Sequence, residues 1–490
     1  QGGMEGGHAA ADILMGRISP CGKLADTIAR SEEDYPAAAN FGGEEGDRYP
    51  EDIYVGYRYF ETFEEAKAKV QYPFGFGLSY TSFEVSSDME SAENSCIFRV
   101  RVKNTGDFAG KEVIQVYAEA PQGKIGKPSR SLTAFGKTKC LKPGEEQELR
   151  LEVKKESLAS YDDSGVTGNK SCYVLEAGRY QFYVGTDVRS AEPAGFMELE
   201  TSEVTQRCTE ALAPVEEFER MKPEQTEEGK LRIVWEKAPL RPRSMMEKYQ
   251  EEAKPDVPCT GDKGYKLADV YDKKISMEEF IGQLSDGELC CIVRGEGMCS
   301  PKVTPGTASA FGGVTKALED YGIPCGCCAD GPSGIRMDCG TYAFCLPNGT
   351  CLACSFNEEL SEQLYEMEGA ELRKNRIDIL LGPGMNIHRH PLNGRNFEYF
   401  SEDPLLTGKM AAAQLRGMRK YQVTGAIKHI ACNNQEYHRR LYNSVVSERA
   451  LREIYLKGFE IGVKEGGAYA IMTTYGGING IWTAGNYDLL

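Results

Sequence analysis

Two changes of hydrophobic period constrain this chain more than any other feature. From Phe83 to about residue 200, apolar residues recur every second position. "FRVRVKNTGDFAGKEVIQVYAEA" alternates on either side of the turn "NTGDFAG". "LKPGEEQELRLEV" sets Leu149, Leu151 and Val153 on one face after a Pro-Gly turn, and "LEAGRYQFYVG" repeats the pattern. Short alternating strands separated by Gly, Pro and Asn turns predict an antiparallel β-sandwich of immunoglobulin or fibronectin type. From Ser276 the period changes again. "SMEE" forms a capping box with Ser276 as N-cap and Glu279 at N3, backed by Met277, Phe280, Ile281 and Leu284. Strand-like runs then appear at 322–330, 376–384, 424–430 and 468–476. Helical stretches separate them: "NEELSEQLYEMEGAELRK", "LLTGKMAAAQLRGMRK" and "SERALREIYLKGFEIGVKEG", the last capped by Ser447. Strands alternating with helices predict parallel βα units, in a (β/α) barrel or a doubly wound sheet. A closed barrel has about eight units, and this chain shows about half of them.

The other segments are less regular. Residues 1–83 hold a glycine-rich turn, a helix near 5–15 and aromatic runs such as "IYVGYRYFE" and "YPFGFGLSY". That is too little for a core of its own and reads as the tail of a domain. Residues 201–275 are charged and proline-bearing and read as a connector, with one short strand at "LRIVW". The expected division is therefore 1–83, 84–200, 201–275 and 276–490. At 490 residues the chain exceeds one ordinary core.

Charge and cysteine content narrow the function classes. The chain carries 57 basic against 74 acidic residues, a net charge of −17, which argues against a nucleic-acid partner. No apolar run is long enough to span a membrane. The 17 cysteines show no framework spacing, and several lie inside apolar segments, which fits a reducing cytoplasm better than a disulfide scaffold. "CGCC" at 325–328 has no second cluster at ligand spacing, so neither metal nor cofactor is expected.

The strand ends carry the functional signal. Asp330 ends the first run. The second leads into "GPGMNIHRHPLNGRNFEYFSEDP", with His388, His390 and Arg395. Lys428 and His429 end the third, and Met472 and Tyr475 end the fourth. In parallel α/β architectures the chemistry lies outside the carboxyl ends of the strands, and four successive ends here are polar. Each residue also has a plainer reading. Asp330, before Gly-Pro, suits a turn or helix cap. Arg395 has Glu398 and Glu402 at hand for local pairing, and His388 and His390 suit the shaping of a loop. His429 reads equally as a satisfied core histidine and Tyr475 as packing. Lys428 resists such an account, because lysine is almost never buried unpaired.

"ADGPSGIR", "GPGMNIHRHPLNGRNFEYFSEDP", "AIKHIACNNQE" and "IMTTYGGING" together resemble the barrel domain of glycoside hydrolase family 3 β-glucosidases. "GGMEGGHAAADILMGRISPCGKLADT", "YVGYRYFE" and "YPFGFGLSYTSF" resemble the end of that family's α/β-sandwich domain, and the strands that follow resemble its fibronectin type III-like domain. The order is reversed relative to most members. The resemblance implies a multidomain α/β plus all-β chain with a partial (β/α)8 TIM-like barrel, and a retaining exo-acting β-glucosidase without cofactor. Its substrate is a β-glucoside or oligosaccharide, and homo-oligomerisation is left open. It further implies that Asp330 accepts from sugar hydroxyls, that Arg395, Lys428 and His429 donate to them, and that Tyr475 lies beside the nucleophile, with Met472 also counted among the substrate-binding residues. For Lys428 and His429 both to reach one sugar, the backbone there must bend or take an unusual peptide geometry.

The family's nucleophilic Asp is expected on the strand after the one ending near Tyr475, and its acid/base Glu upstream of the glycine-rich start. No catalytic residue is therefore assigned, Asp488 included, and the chain alone is expected to be inactive. Three alternatives are weighed. β-Xylosidase or arabinosidase activity belongs to the same family. Cleavage of N-acetylhexosamine goes with a Lys-His-Pro-Gly pattern and an Asp-x-His pair, which "KHIACNNQEYH" lacks. The third is a non-catalytic carbohydrate-binding or structural protein on the same folds.

Overall fold

Alternation becomes burial in the first sheet of the sandwich. The computed structural model describes residues 1–242, 244–252 and 256–490. After helix α1 (Gly6–Leu14), strands β1 (Phe83–Ser91) and β2 (Ser95–Asn104) pair antiparallel. Cys96, Phe98, Val100 and Val102 of β2 point inward. Strands β3 (Val113–Glu119), β4 (Ser131–Lys137), β5 (Glu146–Lys154), β6 (Gly178–Gly185) and β7 (Glu192–Leu199) complete the two principal layers. One is ordered β1-β2-β5 and the other β7-β6-β3-β4. Phe98, Ile114, Val116, Phe182 and Val184 fill the space between them.

The segment expected as a connector contains regular structure. Glu203–Arg207 pairs with Cys172–Leu175, so the strands of the sandwich continue past residue 200. Glu219–Gln225 and Leu231–Lys237 form an antiparallel hairpin, of which only the second strand was legible. Buried Arg220 explains its fixed position: it donates to both carboxylate oxygens of Asp163 at 2.6 and 2.9 Å.

The C-terminal half carries a five-stranded sheet: β8 (Ser309–Gly312), β9 (Cys325–Asp330), β10 (Ile379–Leu381), β11 (Thr424–Ile430) and β12 (Ala470–Thr473). The last four run parallel, as expected. β8 was not anticipated and runs antiparallel to β9. Its return connection holds only the short helix Lys316–Asp320, which rises about 7.5 Å and cannot carry the chain back along the sheet for a parallel pairing. Helices α2 (Glu358–Lys374), α3 (Pro404–Arg419) and α4 (Lys457–Lys464) cover the sheet. Asn357 caps α2, and Asp403 caps α3 ahead of Pro404. The helix expected from Ser447 onward is interrupted by a wide turn at Leu451–Tyr455, where Arg449 and Arg452 reach the carbonyls of Ile125, Gly126 and Thr209.

The N-terminal segment shares this half's core. Tyr49, Tyr54, Tyr57, Phe60 and Phe63 are buried in one cluster with Leu380, Met410, Ile427 and Tyr455. The loop after β10 holds the two together. Arg389, fully buried, donates to both oxygens of Glu51 and lies 3.7 Å over the Tyr49 ring. His388 meets Asp26 at 2.8 Å, and His390 stacks on Phe41. Both histidines thus join segments, which extends the loop-shaping reading.

Candidate sugar site

Parallel strands present their carboxyl ends on one edge, and three of the predicted residues arrive there on β9 and β11. Lys428 is 3% exposed, and its Nζ donates to Asp330 Oδ1 at 2.9 Å. A second carboxylate, Glu398 Oε1, stands 3.6 Å from the same nitrogen. Two anionic neighbours account for a lysine inside an otherwise apolar strand. Burial alone would raise the Asp330 carboxyl. The Lys428 charge and hydrogen bond, the Gly331 N–H and Arg395 outweigh it and hold Asp330 below the usual carboxylate range.

Arg395 arrives from the long loop after β10. Its guanidinium grips Glu398 in a fork, with Nε and Nη2 both at 2.8 Å, so the local pairing read from the sequence is real. Glu402, the other local partner considered, lies elsewhere and accepts from the N–H groups of Thr27 and Tyr57. Arg395 has a further partner: its Nη1 donates to His429 Nε2 at 3.0 Å. A guanidinium only donates, so that nitrogen is an acceptor and the His429 proton sits on Nδ1, 3.3 Å from the Tyr399 hydroxyl. Burial, with Arg395, Lys428 and Arg439 nearby, pushes the imidazole pKa down to about 2. The unusual peptide geometry expected between Lys428 and His429 is present: that bond is cis. Asn386 clamps the same peptide unit, accepting from His429 N at 2.8 Å and donating to His429 O at 2.9 Å.

Four predicted residues (Asp330, Arg395, Lys428 and His429) are thus brought together. Met472 lies beside Lys428 in the β11–β12 register. Tyr475 follows the end of β12, is 49% exposed and takes no polar side-chain part in the cluster; the guanidinium of Arg439 lies 5.0 Å from its ring.

Three participants escaped the sequence reading. Glu398 was seen only as a local partner of Arg395. Arg439 lies close enough to His429 to depress its basicity and donates to Glu436. Tyr399 receives Asn433 Nδ2 at 2.7 Å, and Asn433 also donates to Glu436 at 2.8 Å. The available signal was the density of polar residues in "NNQEYHRR", directly after β11.

Chemically the cluster is a donor–acceptor set with capacity to spare. The Asp330 side chain is 37% exposed and uses few of its roughly four lone-pair positions. Lys428 and Arg395 each carry more N–H donors than they use. Neighbouring hydroxyls on one ring could each donate to Asp330 and accept from a cation.

The description "Glycosyl hydrolase family 3 C-terminal domain" matches residues 1–80, "Fibronectin type III-like domain" 112–188 and "Glycosyl hydrolase family 3 N terminal domain" 260–490. The domain order is therefore reversed. A β-glucosidase of Ruminococcus albus is 55% identical over the whole chain, which covers 51% of that protein. β-Glucosidase A of Butyrivibrio fibrisolvens is 39% identical, with 100% of this chain and 62% of that protein aligned. The crystal structure of a β-glucosidase from Paenibacillus barengoltzii superposes with a TM-score of 0.96 at 56% identity, over 100% of this chain and 54% of that one. The chain spans about half to three fifths of the length of these relatives. With both family 3 domains matched and the fibronectin-like domain between them, the chain belongs to glycoside hydrolase family 3.

Proposed function

We propose that the protein is a β-glucosidase acting on the terminal β-D-glucosyl residue of oligosaccharides or glycosides, and that the cluster around Lys428 holds that residue. The observation that carries this reading is the buried Lys428 Nζ set between Asp330 and Glu398, with Arg395 and neutral His429 alongside. Asp330 accepts from ring hydroxyls remote from the reacting carbon, while Lys428 and Arg395 stand on the donor side and His429 holds Arg395 through Nε2. Hydrogen bonds of this kind strengthen as the ring gains oxocarbenium character, so they contribute to rate as well as to binding. The names of the relatives support glucose as the sugar and a β-glycosidic bond as the one broken. Seventeen free cysteines support a reducing compartment.

Calorimetric titration with D-glucose, together with kinetics of the full-length enzyme on nitrophenyl β-D-glucoside, β-D-xyloside and α-L-arabinofuranoside, tests the reading. The expected result is glucose binding that disappears in Lys428→Ala and a preference for the glucoside. Glucose binding that is unchanged in the folded variant, or a preference for the xyloside or arabinofuranoside, would overturn it.

A further inference from the structure

Helix α2 buries Ser361, Tyr365, Glu368 and Leu372 along one face. In the sequence such a tyrosine reads as packing. Tyr365 is 1% exposed, however, and a buried phenol needs an acceptor for its proton. Its hydroxyl donates to the carbonyl of Pro332, two residues beyond Asp330. Burial raises the pKa of that hydroxyl well above its ordinary value, and Glu368, one turn further along the helix, adds to the effect, so the group remains a donor at any working pH. Asp330 itself opens a closed turn, its carbonyl accepting from Arg336 N at 2.7 Å. Gly331 makes the turn possible: it adopts φ +113, and a Cβ there would stand 2.0 Å from Gly334 O. Pro332 packs on the chain just past β10, where a Cβ on Gly382 would lie 3.2 Å from Pro332 Cα. Among the described residues, two side chains from outside the turn hydrogen-bond to residues 330–334. Lys428 reaches the Asp330 carboxylate, and Tyr365 reaches the Pro332 carbonyl. Proline has no N–H, so that carbonyl is its one backbone polar group.

We propose that Tyr365 is a positioning residue for Asp330: it fixes the turn from the outer helix, so that the carboxylate meets the sugar hydroxyls in one orientation. This rests on the glucosidase reading above and extends it to a residue that touches no sugar. Donor, acceptor and aspartate all belong to β9, α2 and the turn between them, and the hydroxyl that joins them is buried. Asp330 accepts from hydroxyls remote from the reacting carbon, and those contacts exist in the bound ground state as well as in the transition state. Loosening the turn therefore weakens binding more than it slows the chemical step, and the effect falls on KM.

A double-mutant cycle in the full-length enzyme, with Tyr365→Phe and Asp330→Asn assayed on nitrophenyl β-D-glucoside, tests the proposal. Phenylalanine keeps the ring in the core and removes only the donor. Tyr365→Phe should raise KM about fivefold, the size of one hydrogen bond, with kcat within about twofold of the parent, and inhibition by D-glucose should weaken about as much. In the Asp330→Asn background the same substitution should lower kcat/KM by less than about twofold, because the group it positions is gone. A purely structural tyrosine would lower kcat/KM equally in both backgrounds. An unchanged KM in Tyr365→Phe, or equal losses with and without the Asp330 carboxylate, would overturn the positioning role and leave the glucosidase reading intact. An Asp330→Asn enzyme as efficient as the parent, or a parent that does not turn over the glucoside, would overturn both.

Discussion

Lys428 Nζ donates to Asp330 Oδ1 at 2.9 Å, across two strands whose residues stand 98 positions apart in sequence. That bond, with the Glu398 carboxylate 3.6 Å from the same nitrogen, fixes the lysine, and it helps keep Asp330 ionised. Replacing Lys428 by Ala removes the proposed ligand donor and leaves Asp330 and Glu398 without their shared cation. In a β-glucosidase assay of the full-length enzyme the expected loss in kcat/KM is at least about tenfold, or about 1.4 kcal/mol of transition-state binding. Arg395→Ala should behave alike. Steady-state kinetics with a thermal melt checks this, and values within twofold of the parent in a folded variant would assign both residues a structural role alone.

His429 is expected to shape stability at low pH. In the unfolded chain its imidazole binds a proton near 6.5, while in the folded protein burial and three cations delay this to about 2. Between those values the unfolded state holds the extra proton, so stability falls as pH is lowered from about 6.5, by up to about 1.4 kcal/mol per pH unit from this one group. Urea unfolding at pH 7 and pH 5 should show a smaller pH effect in His429→Gln than in the parent. A His429 imidazole resonance, assigned by its loss in His429→Gln, that titrates between pH 5 and 7 in the folded protein would contradict the neutral assignment.

Arg389 and Glu51 form a fully buried pair between the loop after β10 and the N-terminal segment. Removing one member strands the other, so Arg389→Met should cost about 3–5 kcal/mol in urea unfolding. The double variant Arg389→Met/Glu51→Leu should recover a large part of that. Additive losses in the two single variants would show that the pair is not coupled.

Gly56 adopts φ +57, and a Cβ there would stand 2.1–2.5 Å from the carboxyl atoms of Glu402. Gly144 is also left-handed, at φ +80, but has nothing within 4 Å of its Cβ position. Gly144→Ala should therefore cost only the backbone term, about 1–2 kcal/mol. Gly56→Ala should cost clearly more, because Glu402 is held by Thr27 and Tyr57 and cannot yield freely. Equal losses by chemical denaturation would mean that the Glu402 contact is soft.

Much of the architecture was legible because it rests on short-range physics. Period-two burial along β2, the Ser276 capping box, the Ser447 cap and the turn glycines act over a few residues, and those residues name them. Strand-end polarity similarly marked Asp330, Arg395, Lys428 and His429. The antiparallel course of β8 and the Glu219–Lys237 hairpin were not legible. Strand direction depends on how a connection packs, and the hairpin is fixed by Arg220 meeting a partner 57 positions away.

By itself, then, the sequence determined the alternating strands of the sandwich, the four parallel βα strands, the reversed family architecture and the edge of the sheet where polar residues collect. Only the tertiary structure decided which charges neutralise one another. It set Glu398 beside both Arg395 and Lys428, put the His429 proton on Nδ1, brought Arg439 to the cluster and joined Arg389 to Glu51 across 338 positions. The reason is electrostatic. A buried charge must find a partner wherever the fold can supply one, and that partner is selected by distance in space, which local sequence pattern does not encode.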